Sequence, residues 1–250
     1  MAIRKTPMDK EIRNPQGEKI DYAYHDAGSR AVVVVGHGVT GNKDREFVLA
    51  LAGGLAAAGL AALRFSFSGN GDSEGRFEDS CPSKEVRDLV AVVDALDGRP
   101  VIYAGHSMGG AVGVMCSVHE PRITGLISLA GMVHTAKFAK TEFGDVTPGQ
   151  GGMWDMPECP LSQIFLDDMN TIDSVIEFGP HVKVPWLLVH GEADDVVPIE
   201  ESREIFARAN EPKELIEIPR CSHVFDAETD ADALPTMVSK VTEWVLPKAL

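Results

Sequence analysis

Pro100-Val101-Ile102-Tyr103-Ala104 runs directly into Gly105-His106-Ser107-Met108-Gly109, and the small-residue segment Met108–Val118 follows. The apolar, β-branched first part predicts a buried strand, and the last part predicts a helix. The pentapeptide between them has the form G-x-S-x-G. Its spacing has a steric reason. A sharp strand-to-helix turn strains the serine and lifts its hydroxyl into the open, and small flanking residues let the two backbones approach. The helix N-terminus then directs N–H groups toward a reacting oxygen. By itself the pattern also describes a glycine-rich turn with a spectator serine. The strand before it and the helix after it separate this occurrence from that one.

The same alternation extends in both directions. Glu18–His25 and Ala31–Val35 read as strands, Lys43–Ala58 as a helix, Ala61–Phe67 as a strand and Ser83–Leu96 as a helix. Beyond the serine come strand Ile123–Leu129, strand Val184–His190, helix Ile199–Ala209, strand Leu215–Ile218 and helix Leu234–Leu246. Such alternation predicts an α/β protein, a mostly parallel, doubly wound sheet with helices on both faces. The pattern breaks only over Met132–Pro180, which holds Gly149-Gln150-Gly151-Gly152 and scattered aromatics. We expect one domain over residues 1–250, with 132–180 a lid-like insertion within it.

Composition narrows the function. The chain has 250 residues, 44% apolar and 24% charged, which excludes disordered and collagen-like classes. Its formal charge of −15 repels phosphate backbones and anionic lipid surfaces, so neither nucleic acid nor membrane is an expected partner. The uncharged run Phe47–Leu63 is broken by Gly59 and reads as a buried helix followed by a strand. Cys81, Cys116, Cys159 and Cys221 form no C-x-x-C pair, which argues against zinc and against a disulfide framework. Cys221 reads as a packing residue. Met1–Glu18 has no apolar signal core. The expectation is a cytoplasmic protein with reduced thiols, monomer or homodimer.

A serine nucleophile needs a base, and histidine is best suited near neutral pH. Of the eight histidines, His223 stands out. It lies just after the last expected strand, at the sheet edge where ligands of parallel sheets bind. His190 ends a strand and reads as packed or hydrogen-bonded, while His25, His119, His134 and His181 lie in no motif. A third group must fix the imidazole tautomer. Gly191-Glu192-Ala193-Asp194-Asp195 follows strand Val184–His190. Asp194 is the choice, with Asp195 and Glu192 as alternatives. The order Ser107, Asp194, His223 is one of the known serine-hydrolase orders. The oxyanion formed on attack needs two backbone donors. Met108 N–H, after the nucleophile, is one; Val39 N–H, in Gly36-His37-Gly38-Val39-Thr40-Gly41, is the other.

At this point the chain resembles the α/β-hydrolase family over roughly residues 20–245. The resemblance rests on His37-Gly38-Val39-Thr40-Gly41, on Gly69-Asn70-Gly71-Asp72-Ser73-Glu74-Gly75, on the turn around Ser107 and on the Asp194/His223 pair. Within that family it is most similar to small bacterial esterases of the cinnamoyl/feruloyl type, through Asn42-Lys43-Asp44 after the histidine loop and through Gly71–Gly75. The resemblance implies the α/β-hydrolase fold, nucleophile, acid and base at Ser107, Asp194 and His223, and oxyanion donors at Val39 and Met108. The Gly69–Gly75 loop has no phosphate-loop lysine and reads as a tight turn beside the site.

The insertion should cover the catalytic edge. Its aromatics and methionines suit an adaptable apolar pocket. His37, Met153, Trp154 and Phe138 are the expected substrate contacts, though packing of the insertion explains such residues equally well. Its charges are mostly acidic (Glu142, Asp145, Asp155, Glu158, Asp167, Asp168, Asp173 and Glu177 against Lys137 and Lys140), which disfavours anionic substrates such as acyl-CoA. The expected activity is hydrolysis of small acyl or aryl carboxylic esters through an acyl-enzyme, with no cofactor and no metal. Amide, peptide or thioester hydrolysis by the same residues, and a non-catalytic ligand-binding homologue, are the alternatives.

Overall fold

The structure is a computed structural model and describes residue 8, residues 10–226 and residues 231–250. Of the polar stretch Met1–Glu18, residues 1–7 and 9 lie outside them. In chain order the elements are β1 (Ile12–Arg13), β2 (Lys19–Ile20), β3 (Tyr22–His25), β4 (Val32–Gly36), α1 (Glu46–Ala57), β5 (Ala61–Phe65), α2 (Pro82–Asp94), β6 (Val101–His106), α3 (Met108–Ser117), β7 (Ile123–Leu129), α4 (Thr135–Phe143), α5 (Gln163–Ile172), β8 (Trp186–Gly191), α6 (Ile199–Arg208), β9 (Lys213–Ile218) and α7 (Ala233–Ala249). Among the described residues, no helix is long and apolar enough to cross a membrane. The uncharged run that imitates such a span is α1, a turn and β5.

β1 and β2 pair as a two-stranded hairpin, and the other strands form a seven-stranded sheet in the order β3-β5-β4-β6-β7-β8-β9. Only β3 is antiparallel to its neighbour; the rest of the sheet is parallel. A parallel sheet is covered on both faces, so its strands are apolar throughout rather than alternating. β4 is the clearest case. Val32 and Val34 face a core shared with α2 and α3, while Val33 and Val35 face a second core shared with α1 and α7. All four are fully buried, and each contributes about 1.5–3 kcal/mol on burial.

Register positions the loops. Gly36 of β4 lies opposite Gly105 of β6, so the histidine loop and the serine turn leave the sheet side by side. Gly191 of β8 lies opposite Ile218 of β9, which brings the Asp194 loop against the His223 loop. All four emerge at the C-terminal ends of parallel strands.

Residues between β7 and β8 form α4, α5 and two short 3-10 turns. Ser162 caps α5 by accepting a hydrogen bond from Phe165 N. A third apolar cluster lies here, joining Met132, Phe138, Phe143, Met153, Phe165 and Met169 to Met108 of α3. The acidic side chains of the segment are partly engaged: Glu142 accepts from Trp154 Nε1 at 2.8 Å, and Asp168 accepts from Ser83 N at 2.8 Å.

Candidate active site

Ser107 is held at φ 53°, ψ −120° between β6 and α3, a conformation that a side-chain-bearing residue adopts only when its surroundings impose it. The surroundings are visible. A Cβ on Gly105 would lie 2.1 Å from Gly109 O, and one on Gly109 would lie 2.4 Å from His37 O. The strand-to-helix turn and the histidine loop therefore close only with glycine at both places. Ser107 N donates to Leu129 O, and Ser107 O accepts from Met132 N and Gly110 N, so backbone bonds on both sides lock the turn.

Ser107 and His223 line one cleft of about 400 Å³, together with His37, Val39, Phe47 and Trp154. His223 Nδ1 lies 2.7 Å from Asp194 Oδ2. Of the three carboxylates in the β8–α6 loop, Asp194 alone has a fully buried side chain, and Glu192 and Asp195 are exposed. Asp194 Oδ1 accepts from Val196 N and Val197 N, each at 2.9 Å. Burial would raise its pKa, but hydrogen bonds from His190 and His223 outweigh that and hold it well below the usual carboxylate range. An ionised acid results, with its lone pairs saturated by protein donors.

His190, which the sequence reads as packed or hydrogen-bonded, is both, and it is the second donor to Asp194. Its Nε2 lies 2.9 Å from Val197 O and 3.1 Å from Asp194 Oδ2. A carbonyl only accepts, so the proton sits on Nε2, and Nδ1 accepts from Ser202 Oγ at 2.7 Å. His106 supports the other side. Its Nε2 donates to His223 O at 2.9 Å, and the two rings lie 4.6 Å apart. Burial first, then the proximity of His223, pushes the His106 pKa down to about 3, so it is a neutral prop for that loop.

His37 has a similar place in the facing loop. Its Nε2 accepts from Phe67 N at 3.0 Å and its Nδ1 donates to Gly38 O at 2.8 Å. Burial lowers its pKa to about 4. Both ring nitrogens are thus committed to backbone, and His37 reaches the cleft with its ring rather than a free polar atom. Met108 opens α3, where an amide has no intrahelical acceptor. Among the described residues neither Met108 N–H nor Val39 N–H has a hydrogen-bond partner.

The expected substrate contacts divide. Trp154 lines the cleft. Met153 lines a separate, smaller cavity behind Val39. Phe138 lines neither; it packs edge-on against Phe143 and Trp154 inside the third apolar cluster. Cys221 is buried with its thiol against Ser222 O. Among the described residues, no group of three or more histidine, cysteine or acidic side chains is arranged to hold a metal ion.

The chain is similar to known proteins over most of its length. The profile of the family described as "Serine aminopeptidase, S33" matches residues 27–146 and 158–230. The palmitoyl-protein thioesterase ABHD10, mitochondrial, of Homo sapiens is 28% identical over 165 residues, 60% of this chain and 52% of that protein. The chain spans only about half to two thirds of the length of the curated relatives it matches. Among solved structures, Est1E from Butyrivibrio proteoclasticus with bound ferulic acid superposes at a TM-score of 0.80 with 25% identity, covering 95% of this chain and 98% of that one. The mouse alpha/beta hydrolase domain-containing protein 10 superposes at 0.77 with 17% identity, covering 94% and 97%. The fold is that of the α/β-hydrolases.

Proposed function

The chain belongs to the serine aminopeptidase S33 family of hydrolases, and from that premise we propose that it cleaves carboxylic esters, with Ser107 as nucleophile, His223 as base and Asp194 as acid. The observation that carries this reading is the strained Ser107 in a cleft it shares with a histidine whose far nitrogen is tied to a buried aspartate.

The steps follow from those contacts. His223 Nδ1–H donates to Asp194, which leaves Nε2 with a free lone pair. As Ser107 Oγ bonds to the ester carbon, its proton passes to Nε2 and the carbonyl π electrons move onto oxygen. Val39 and Met108 N–H groups hold that oxyanion; losing one such donor typically costs about 3–4 kcal/mol of transition-state stabilisation. The carbonyl then reforms, the bond to the alcohol oxygen breaks, and His223 Nε2–H protonates the departing alkoxide. Water, deprotonated by His223, attacks the acyl-enzyme by the same sequence, and Ser107 recovers its proton. No cofactor enters.

The cleft volume suits a small acyl or aryl ester, and Trp154 and Phe47 offer it apolar walls. The likeness to a ferulate-binding esterase fold supports an aryl ester. The acidic segment between β7 and β8, acting as a cap, favours neutral esters over acyl-CoA. Cys81, Cys116, Cys159 and Cys221 are all buried, and buried thiols fit a reducing, cytoplasmic setting.

The test is initial rates on p-nitrophenyl acetate, butyrate and octanoate and on methyl ferulate, with Ser107→Ala alongside. Turnover that Ser107→Ala abolishes is expected. Folded protein inactive on every ester refutes the reading and moves it to the thioester named for one relative, to amides, or to ligand binding without turnover.

A further inference from the structure

Behind the oxyanion loop lies a second cavity, and it ends on an unpaired acid. Val39 and Thr40 line both this cavity and the main cleft, and Met108 closes it against α3. Its walls include Met153 and Phe165. The space open to the centre of a water-sized group is about 10 Å³, roughly that of one water oxygen. Its polar lining residues are Thr40, Asn70, Ser80 and Glu85. Asn70 donates to Ser80 Oγ at 3.3 Å, and Ser80 Oγ donates to Ser68 O at 3.2 Å, so these two are engaged with each other and with backbone. Glu85 of α2 is not: it is 2% exposed, and its Oε2 has no hydrogen-bond partner among the described residues.

An unpaired carboxylate is not stable in such a place, whereas a neutral carboxylic acid with one unmet hydrogen bond is. Burial, reinforced by the charge of Asp88, accordingly pushes the Glu85 pKa well above its ordinary value. A neutral acid is a donor as well as an acceptor. A leaving alcohol must lie near His223, which protonates it, and His223 faces the main cleft. The small cavity is lined instead by the two proposed oxyanion residues and not by His223, which sets it apart from the place of the leaving alcohol.

We propose that this cavity is the end of the acyl pocket and that Glu85 makes it selective for an acyl group carrying an oxygen, a hydroxyl, ether or keto group, over the matching plain alkyl chain. The proposal rests on the ester reading given above. In it the oxygen-bearing part of the chain passes Val39 and Met108 between Met153 and Phe165. The Glu85 O–H then donates to the substrate oxygen, in the space that holds one water-sized group. An alkyl chain in the same place leaves Glu85 unpaired.

The experiment compares p-nitrophenyl esters in isosteric pairs: methoxyacetate with butanoate, 3-methoxypropanoate with pentanoate, and 4-methoxybutanoate with hexanoate. Each kcat/KM is divided by the rate of alkaline hydrolysis to remove intrinsic reactivity. At one chain position the ether oxygen should be favoured about three- to tenfold, the range of a single hydrogen bond. Glu85→Leu should abolish the preference and Glu85→Gln should retain it. Glu85→Asp keeps the polar group and withdraws it by one methylene, so it should move the preferred oxygen along the chain. Ser107-dependent turnover with no oxygen preference anywhere overturns the subsite alone. So does a preference unchanged in Glu85→Leu, or unmoved in Glu85→Asp. No turnover of any ester overturns the ester reading and the subsite with it.

Discussion

Ser107→Gly should produce a more stable, inactive protein, whereas Ser107→Ala should be inactive without that gain. Ser107 stands at φ 53°, ψ −120°. Holding a non-glycine residue in such a region costs about 1–3 kcal/mol. Glycine removes that strain but adds freedom to the unfolded chain, which costs about 0.4–1 kcal/mol. The difference leaves a gain centred near 1 kcal/mol, with limits of about zero and 2.5. Alanine keeps the Cβ and hence the strain. Both variants lose the same hydroxyl, so glycine against alanine isolates the backbone. For a chain of this size about 1 kcal/mol moves the melting temperature by roughly 2–4 °C. Calorimetric melting of the three proteins at pH 7 reads the difference, and p-nitrophenyl butyrate hydrolysis reads the activity. A glycine variant that melts at or below the alanine variant would refute the idea that the fold imposes this conformation at the expense of stability.

Four further outcomes follow from neighbouring contacts. Asp194→Asn places an amide where one oxygen accepts from both His223 and His190; kcat should fall by about 10⁴ as His223 loses its working tautomer, measured on the best ester substrate. Asp194 has a depressed pKa in the fold, so its contribution to stability is complete above the unfolded carboxylate value of about 4 and is lost as pH falls through the lower folded value. Urea unfolding between pH 2 and 6 should show this acid slope in the native chain and a flatter one in Asp194→Asn. Glu85 has the opposite sign. Its raised pKa means the folded state binds the proton more tightly, so stability declines as pH climbs past about 4.5 toward the folded value. Glu85→Gln removes that decline, and its stability relative to the native chain should therefore be higher at pH 8 than at pH 5. Trp154→Ala should raise KM for aryl esters several-fold with kcat nearly unchanged, because Trp154 is 41% exposed on the cleft wall; its unfolding midpoint should barely move.

What was legible in the sequence was whatever depends on local sterics. The serine turn could be read because only glycine fits at Gly105 and Gly109, and the strands could be read because a sheet covered on both faces must be apolar without interruption. Ile123–Leu129 has the predicted limits, and α3 ends one residue short of them, at Ser117. The insertion's helices were not read, although α5 carries its signal in Ser162 followed by Phe165, Met169 and Ile172 at helical spacing. Prolines and the run Gly149–Gly152 nearby masked it. Which carboxylate meets His223 could not follow from composition, since Glu192, Asp194 and Asp195 differ only in how the β8–α6 loop coils. That coil is set by Val196 and Val197 amides turning onto Asp194.

Glu85 escaped because an acid usually faces water, whereas this one is buried by elements distant in sequence. In α2 the apolar stripe of Val86, Leu89, Val90 and Val93 predicts that Glu85 and Asp88 are solvated. Instead β1–β2 and α5 cover that flank: Asn14 donates to Asp88 at 2.8 Å, and Phe165 shares the Glu85 cavity. Asp88 is compensated there by Asn14 and by Ser68 N and Oγ, whereas Glu85 Oε2 is not. That asymmetry between two acids one helical turn apart gives Glu85 a meaning beyond structure. A helix that needed only to be covered would carry leucine at Glu85, as it does at Leu89. An acid with no protein partner on Oε2, beside the residues proposed to hold the oxyanion, is what the proposed oxygen subsite requires.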